Sequence, residues 1–382
     1  MSKWASMTAL VGAAAIVLAA CGDAPQEDAE SSAPVSATAG ESAAPQSSAE
    51  TAVEADFQGC MVTDSGGVDD RSFNASAAAG LARAETELGI TTSILESTAE
   101  TDYGPNIDQL LADDCGLIVT VGFLLAGGTG EAAVANPDQN FALIDSTPTD
   151  AAGEPVDAPN VKPLLFNTAE AAFLAGYVAA GTTTSGMVAT FGGIPIPPVT
   201  IFMDGFVDGV AYYNTEKGAS VTVLGWDKAA QDGTFVGNFD DQTAGRTTAE
   251  NFISQGADII FPVAGPVGLG AAAAAQDSGT TNIIWVDTDG FISAPDFGSI
   301  IITSVLKNID AAVYDTIESA VNGEFDGTPY VGTLDNGGVG IAPYHDFEET
   351  VPAELKTEVE ALQEAIIAGE VVVESASSPS VG

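Results

Sequence analysis

Basic side chains are scarce. The 382 residues hold nine Lys and Arg against 54 Asp and Glu, a formal net charge of −45. None of the nine falls between Lys3 and Arg71. Binding nucleic acid requires cations that neutralise phosphates, so nucleic acid is excluded as a partner. The same surface repels anionic lipid headgroups, and an excess of this size reads as a solvated shell suited to salt rather than a docking face. Histidine occurs once, at His345, and cysteine three times, at Cys21, Cys60 and Cys115. That inventory is too thin for a metal centre of the usual ligand types, and neither a metal nor a cofactor is expected. No Gly-x4-Gly-Lys-Ser/Thr phosphate loop occurs, so any ATP hydrolysis belongs to a partner. A bilayer-spanning run is missing as well. Residues 5–20 are apolar apart from Ser6, Thr8 and Gly12, but a membrane helix needs about 20.

What those first residues do form is a signal peptide, 1–20, ending in Leu18-Ala-Ala-Cys21. Small residues followed by cysteine are the pattern of a bacterial lipoprotein, with Cys21 as the lipidation site. Two or more acyl chains, at ~0.8 kcal/mol per buried methylene, would hold the protein at the extracytoplasmic face of the cell membrane. The competing account is a secreted protein with an incidental cysteine. Residues 21–56 then run through Ser, Ala, Pro, Glu and Gly with almost no large apolar side chain. Such a segment cannot offset its ordering entropy and is expected to be a disordered tether. Residues 375–382 are expected to be a disordered tail. Cys60 and Cys115 come near the starts of two predicted strands in an exported body, where export is oxidising. A disulfide between them stands against two buried free thiols.

The body alternates short β-rich runs with helical stretches. Strands are predicted at 59–63, 117–121, 141–144, 161–166, 187–191, 221–224, 259–263, 283–286 and 300–303, and a late Gly-rich one at 337–342. Helices are predicted at 75–88, 105–112, 130–135, 169–180, 198–213, 243–255, 269–276, 310–320 and 353–368. Repeated βα units imply an α/β fold of doubly wound parallel sheets. Two sheets of about five strands, breaking near the Pro-rich span 150–163, fit better than one large sheet. They would leave a hinged cleft between two lobes.

In open α/β sheets ligands bind beyond the carboxyl ends of the strands. Here the predicted strand ends carry Asp64, Gly122-Phe123, Asp145, Gly192-Gly193, Trp226-Asp227, Ala264-Gly265 and Asp287. The first of these opens the turn Asp64-Ser-Gly-Gly-Val-Asp-Asp70, followed by Ser72-Phe73-Asn74 and an Ala-rich helix. A plain account of that stretch is Ser72 as a helix N-cap and Phe73 as core. The set as a whole offers acceptors, aromatic faces and bare backbone instead of a nucleophile with a base. That is an inventory for holding a neutral, polar, ring-bearing ligand, and no enzyme activity is expected.

At this point the chain resembles a known family, the basic membrane proteins, lipoproteins that bind purine nucleosides for ABC-type import. The likeness covers residues 59–372. It is carried by Asp64-Ser-Gly-Gly-Val-Asp-Asp-Arg-Ser-Phe-Asn74, by Gly192-Gly193 with Phe206-Val-Asp-Gly-Val210, and by Phe235-Val-Gly-Asn-Phe-Asp-Asp241 with Gly245-Arg246. Further on come Gly256-Ala-Asp-Ile-Ile-Phe-Pro-Val-Ala-Gly265, Val286-Asp-Thr-Asp289 and Thr303-Ser-Val-Leu-Lys-Asn308. The resemblance implies a type I periplasmic-binding-protein fold whose chain crosses between lobes three times. Lobe one would be 57–164 with 288–328, and lobe two 165–287 with 329–374. It also implies ABC permease and ATPase subunits as partners.

By the same resemblance, the ligand's base would lie between Phe73 and Phe239, with Phe235 as the competitor for the second ring. Asp64, Asn74 and Asp145 would make polar contacts from lobe one, and Asp287 and Lys307 from near the hinge. Asp accepts from N–H groups or ribose hydroxyls, and Asn both donates and accepts. Gly265 would let the backbone approach the ligand. Lys307 could alternatively pair with Asp287 or Asp289, Trp226 could merely line the cleft, and Arg71 would face solvent. The lobe-two turn Gly192-Gly-Ile-Pro-Ile-Pro-Pro198 is unusually rich in proline. Rival functions are a binding protein for a sugar or autoinducer and a calcium-dependent nucleoside hydrolase. The latter needs a further Asp two positions before Asp64, where Val62 stands.

Overall fold

The computed structural model describes residues 57–379. The signal peptide, Cys21 and the tether therefore lie outside the described residues, as do the last three. Among the described residues the strands are β1 (Gln58–Val62), β2 (Thr91–Leu95), β3 (Leu117–Val121), β4 (Asn140–Ile144), β5 (Val161–Phe166), β6 (Met187–Gly192) and β7 (Thr222–Leu224). They continue with β8 (Trp226–Asp227), β9 (Asp232–Gly233), β10 (Ile259–Val263), β11 (Asn282–Asp287), β12 (Ile301–Lys307), β13 (Tyr330–Gly332) and β14 (Val339–Ile341). The helices are α1 (Phe73–Leu88), α2 (Tyr103–Ala112), α3 (Ala126–Ala135), α4 (Thr168–Thr182) and α5 (Pro197–Lys217). After them come α6 (Gln242–Ser254), α7 (Val267–Ser278), α8 (Gly290–Ser293), α9 (Ile309–Val321) and α10 (Ala353–Ile367).

Two six-stranded sheets result, ordered β13-β5-β4-β3-β1-β2 and β14-β12-β11-β10-β6-β7, with β8 and β9 as a small separate ribbon. Pairing within the two large sheets is parallel except at β14, which runs antiparallel to β12, and the β8–β9 ribbon is antiparallel. The central strands β3 and β10, Leu-Ile-Val-Thr-Val and Ile-Ile-Phe-Pro-Val, are buried at every position. Strands covered by helices on both faces require such continuous apolar runs. One core cluster runs from Met61, Leu117 and Ile144 through Phe173 and Phe206 to Ile259 and Val286, so it reaches into both sheets. Cys60 and Cys115 are joined as a disulfide, Cα to Cα 5.9 Å, tying β1 to the entry of its neighbour β3.

Each sheet has six strands against the expected five or so, and the two that were not expected are both edges of the first sheet. β2, Thr-Thr-Ser-Ile-Leu, is an edge strand with no buried position. β13 is three residues long at the opposite edge.

The chain crosses between lobes three times, at Asn167, at Asn308 and between Gly332 and Val339. Here the expected boundaries need correction in three segments, the smallest being 165–166, which belong to β5 and so to lobe one. β12 hydrogen-bonds to β11, which places residues 288–307 in lobe two rather than lobe one. β13 pairs with β5, which places 330–332 in lobe one rather than lobe two. The physical reason is that the chain adds one more parallel strand beside β11 before it crosses. Lobe one is thus 57–166 with 309–332, and lobe two is 168–307 with 339–379.

The tail is corrected as well. Residues 375–379, expected to be disordered, are ordered against lobe two. Ser375 Oγ donates to Asp204 Oδ2 at 2.6 Å, Ser377 and Thr200 hydroxyls lie 2.8 Å apart, and Ser378 Oγ donates to Asn167 Oδ1 at 3.2 Å. Asp204 is fully buried and needs donors, and a serine-rich tail supplies one. No helix among the described residues is long and apolar enough to cross a membrane.

Candidate ligand-binding site

The carboxyl ends of both sheets face one cavity. Asp64 follows β1, Asp145 follows β4, Asp287 ends β11 and Lys307 ends β12. Asp145 and Asp287 share a backbone φ of 65°, a left-handed conformation uncommon for a side-chain-bearing residue. Residues held this way concentrate at functional sites.

The structure brings together all eight residues singled out from the sequence. Asp64, Phe73, Asn74, Asp145, Phe239, Gly265, Asp287 and Lys307 line the same cavity. Asn74 Nδ2 donates to Asp64 Oδ1 at 2.8 Å, which leaves Asn74 Oδ1 buried without a partner. Lys307, only 2% exposed, forms an ion pair with Asp145 across the lobes. Its partner is therefore neither Asp287 nor Asp289; Asp289 Oδ2 lies 2.7 Å from His345 Nε2. Lys307 Nζ also sits 4.7 Å from the Phe73 ring centroid, close enough for cation–π attraction.

The two aromatic rings have different supports. Phe73 is the first residue of α1. Phe239 lies over Gly193, where a Cβ would stand 2.3 Å from its ring carbons, so only glycine admits the ring there. Phe235 does not line the cavity; it packs edge-on against Trp226 at 5.8 Å. Trp226 is also outside the lining and donates its indole N–H to Asp204 at 2.9 Å. Gly265, at φ 52°, would point a Cβ into open space near the Phe239 carbonyl at 3.9 Å. Arg71 is exposed, and its guanidinium reaches the Ser293 carbonyl of lobe two at 3.4 Å.

Ser72 departs from the N-cap account. Asp70 caps α1 instead, accepting from the backbone N–H groups of Ser72, Asn74 and Ala75 at 3.0, 2.7 and 2.9 Å. The Ser72 hydroxyl is thereby free to donate to Asp287 Oδ2 at 2.6 Å. Asp70 joins the cavity lining, and so does an apolar wall, Ile196, Pro198, Val199 and Phe202, from the start of α5. Sequence reasoning missed both. The signal for the wall was present in the prolines of 195–198, because Pro favours the first turn of a helix. An apolar residue beside them at a strand-to-helix junction faces the cleft.

Burial dominates the electrostatics. It pushes the Asp64 carboxyl up to about 8, with the Asp70 and Asp145 charges adding to the rise against the Asn74 hydrogen bond and Lys307. Asp145 and Asp287 are also raised by burial, with Lys307 opposing in both and Ser72 opposing in Asp287. Asp70 is raised by burial against its three helix N–H donors. Among the described residues no group of three or more His, Cys, Asp and Glu is arranged to hold a metal ion.

Two doubly wound lobes joined by three crossings, with a polar and aromatic cavity at their facing strand ends, define a type I solute-binding protein. Residues 57–377 match the model of the Bmp family, described as ABC transporter substrate-binding protein PnrA-like, and the chain belongs to that family. It is 33% identical over 292 residues to an uncharacterized lipoprotein of Pyrococcus abyssi (strain GE5 / Orsay), covering 73% of this chain and 67% of the relative. It is 28% identical over 341 residues to the ABC transporter nucleoside-binding protein BmpA of Lactococcus lactis subsp. cremoris (strain MG1363), covering 85% and 90%. Among solved structures, an ABC transporter system solute-binding protein from Aeropyrum pernix K1 superposes with a TM-score of 0.74 at 28% identity, covering 83% of this chain and 94% of that one.

Proposed function

We propose that the chain captures a purine nucleoside outside the cytoplasm and delivers it, chemically unchanged, to the permease and ATPase subunits of an ABC importer. The observation that carries this is the pairing of Phe73 and Phe239 with buried carboxylates in one cavity. A purine offers two π-faces to the rings, the polar edge of its base suits Asp64 and Asn74 Oδ1, and ribose hydroxyls suit Asp287. The Lactococcus relative named as nucleoside-binding points the same way. A phosphate has no comparable receiver, because the one cation lining the cavity, Lys307, is already paired with Asp145. Two added negative charges would face Asp145 and Asp287 instead.

Isothermal titration across inosine, guanosine, adenosine, their 5′-monophosphates, free bases and simple sugars tests this. Nucleosides are expected to bind far better than monophosphates. Equal or tighter binding of a monophosphate, or binding of a sugar alone, overturns the assignment. The anchor rests on Leu18-Ala-Ala-Cys21 and on a Pyrococcus relative named as a lipoprotein. Cys21→Ser should release the protein from membranes with ligand binding intact, and retention at the membrane would count against lipidation.

A further inference from the structure

We infer that closing the cleft takes up a proton, held on Asp64, so that ligand and proton are captured together; this rests on the nucleoside reading of the cavity. The geometry begins with an imbalance. Four carboxylates, Asp64, Asp70, Asp145 and Asp287, line the cavity, and Lys307 is the single cation among the lining residues. All four are buried.

Burial raises all four, but three have more to offset it than Asp64 has. Asp145 holds the Lys307 ammonium. Asp287 has the Lys307 charge opposing the rise and also takes the Ser72 hydroxyl at 2.6 Å. Asp70 takes three N–H groups at the start of α1, where the helix dipole also favours negative charge. Asp64 has only the neutral Asn74 amide, at 2.8 Å.

The groups facing Asp64 do not improve its position as an anion. From the turn before α1 comes Asp70 and from the end of β4 comes Asp145, both of like charge. From α2 comes Tyr103, whose hydroxyl is buried without a partner, and from β12 Lys307, already engaged by Asp145. A buried carboxylate in such surroundings is neutralised by protonation rather than kept as an ion. Its carboxyl is accordingly pushed up to about 8.

Both lobes wall the cavity that buries this cluster: Asp64, Asp70 and Asp145 line it from lobe one, and Phe202, Phe239, Val263, Asp287 and Lys307 from lobe two. When the lobes part, Asp64 returns toward the ordinary carboxylate range near 4. The proton therefore comes from solvent on closure and returns to it on release. A protonated Asp64 is a donor beside Asn74 Oδ1, a buried acceptor with no partner. Side by side, the two would read a heterocycle edge that carries an acceptor next to a donor.

The test is titration of inosine into the mature protein in buffers of different ionisation enthalpy. The slope of observed enthalpy against buffer enthalpy counts protons. Near pH 7 about one proton taken up per inosine is expected. Because the complex binds more protons than the free protein, affinity should weaken about tenfold per pH unit between roughly pH 5 and 8 and level off above. Asp64→Asn should abolish the uptake and flatten the pH profile. If that variant fails to fold or bind, the wild-type slope still decides. Inosine binding with no proton exchange and no pH dependence overturns proton capture and leaves the ligand reading standing. Uptake that persists in Asp64→Asn overturns the assignment to Asp64. No binding of any nucleoside between pH 5 and 9 sinks the ligand reading and proton capture with it.

Discussion

Ser72 Oγ donates to Asp287 Oδ2 at 2.6 Å, joining lobe one to lobe two across 215 residues of sequence. The same turn is held to lobe two twice more, where the Arg71 carbonyl accepts from Trp285 Nε1 at 3.4 Å and from Thr288 Oγ1 at 3.2 Å. These contacts exist only while the lobes are together, so they favour the closed form. A hydrogen bond to a charged group contributes about 1.5–3 kcal/mol. Ser72→Ala should therefore weaken nucleoside binding by about tenfold or more. The substituted side chain is small and leaves no clash, so little of the effect should come from unfolding. An unchanged dissociation constant by calorimetry would show that Asp287 does not depend on this bond.

The Cys60–Cys115 disulfide closes a loop of 55 residues. Chain-entropy arguments put its stabilisation at about 4 kcal/mol for a loop of this length. Thiol titration of the unfolded, unreduced mature protein should find neither cysteine free. The Cys60→Ser, Cys115→Ser double variant should melt well below the wild type. Two reactive thiols in the unreduced protein would refute the pairing.

The charge excess predicts a salt response. With a net charge of −45 the chain carries far more carboxylates than its nine cations can offset. Seven of those cations, Arg83, Lys162, Lys217, Lys228, Arg246, Lys307 and Lys356, are already in ion pairs. The remaining repulsion is screened as the Debye length falls to ~3 Å near 1 M salt. Melting temperature should climb with sodium chloride concentration. A flat profile would mean that the carboxylates are spaced widely enough to be harmless.

The parts of this molecule legible in its sequence are those fixed locally. β3 and β10 are buried apolar runs, β5 is one apart from Lys162, and all three lie where the pattern puts them. The cavity-lining residues at strand ends were legible because strand ends and cleft coincide in this kind of sheet. β2 was not, since an edge strand of Thr and Ser carries no buried run. Nor was the lobe assignment of β12, because which neighbour a parallel strand chooses depends on backbone pairing with β11 rather than on its own residues. The role of Ser72 was hidden for a related reason. As a helix-capping residue it had a local explanation, and only the fold shows that Asp70 takes that work and frees the hydroxyl for Asp287.

The two rings make the sharpest claim about ligand chemistry. Base–aromatic stacking contributes roughly 1–3 kcal/mol per base, or about 5- to 150-fold in affinity. Phe239→Ala removes one face and uncovers Gly193, while Phe73→Ala also uncovers Lys307 Nζ, now 4.7 Å from the ring centroid. Both variants should weaken inosine and hypoxanthine alike, because the ring meets the base that the two share. Asp287→Asn should behave differently, weakening the riboside and sparing the free base, because its carboxylate is placed to accept from ribose hydroxyls. Phe73→Trp should retain binding where Phe73→Ala loses it. Calorimetry with both ligands on all four variants separates these outcomes. Should Phe73→Ala and Phe239→Ala bind inosine as the wild type does, the rings are cleft packing and the stacking claim is wrong.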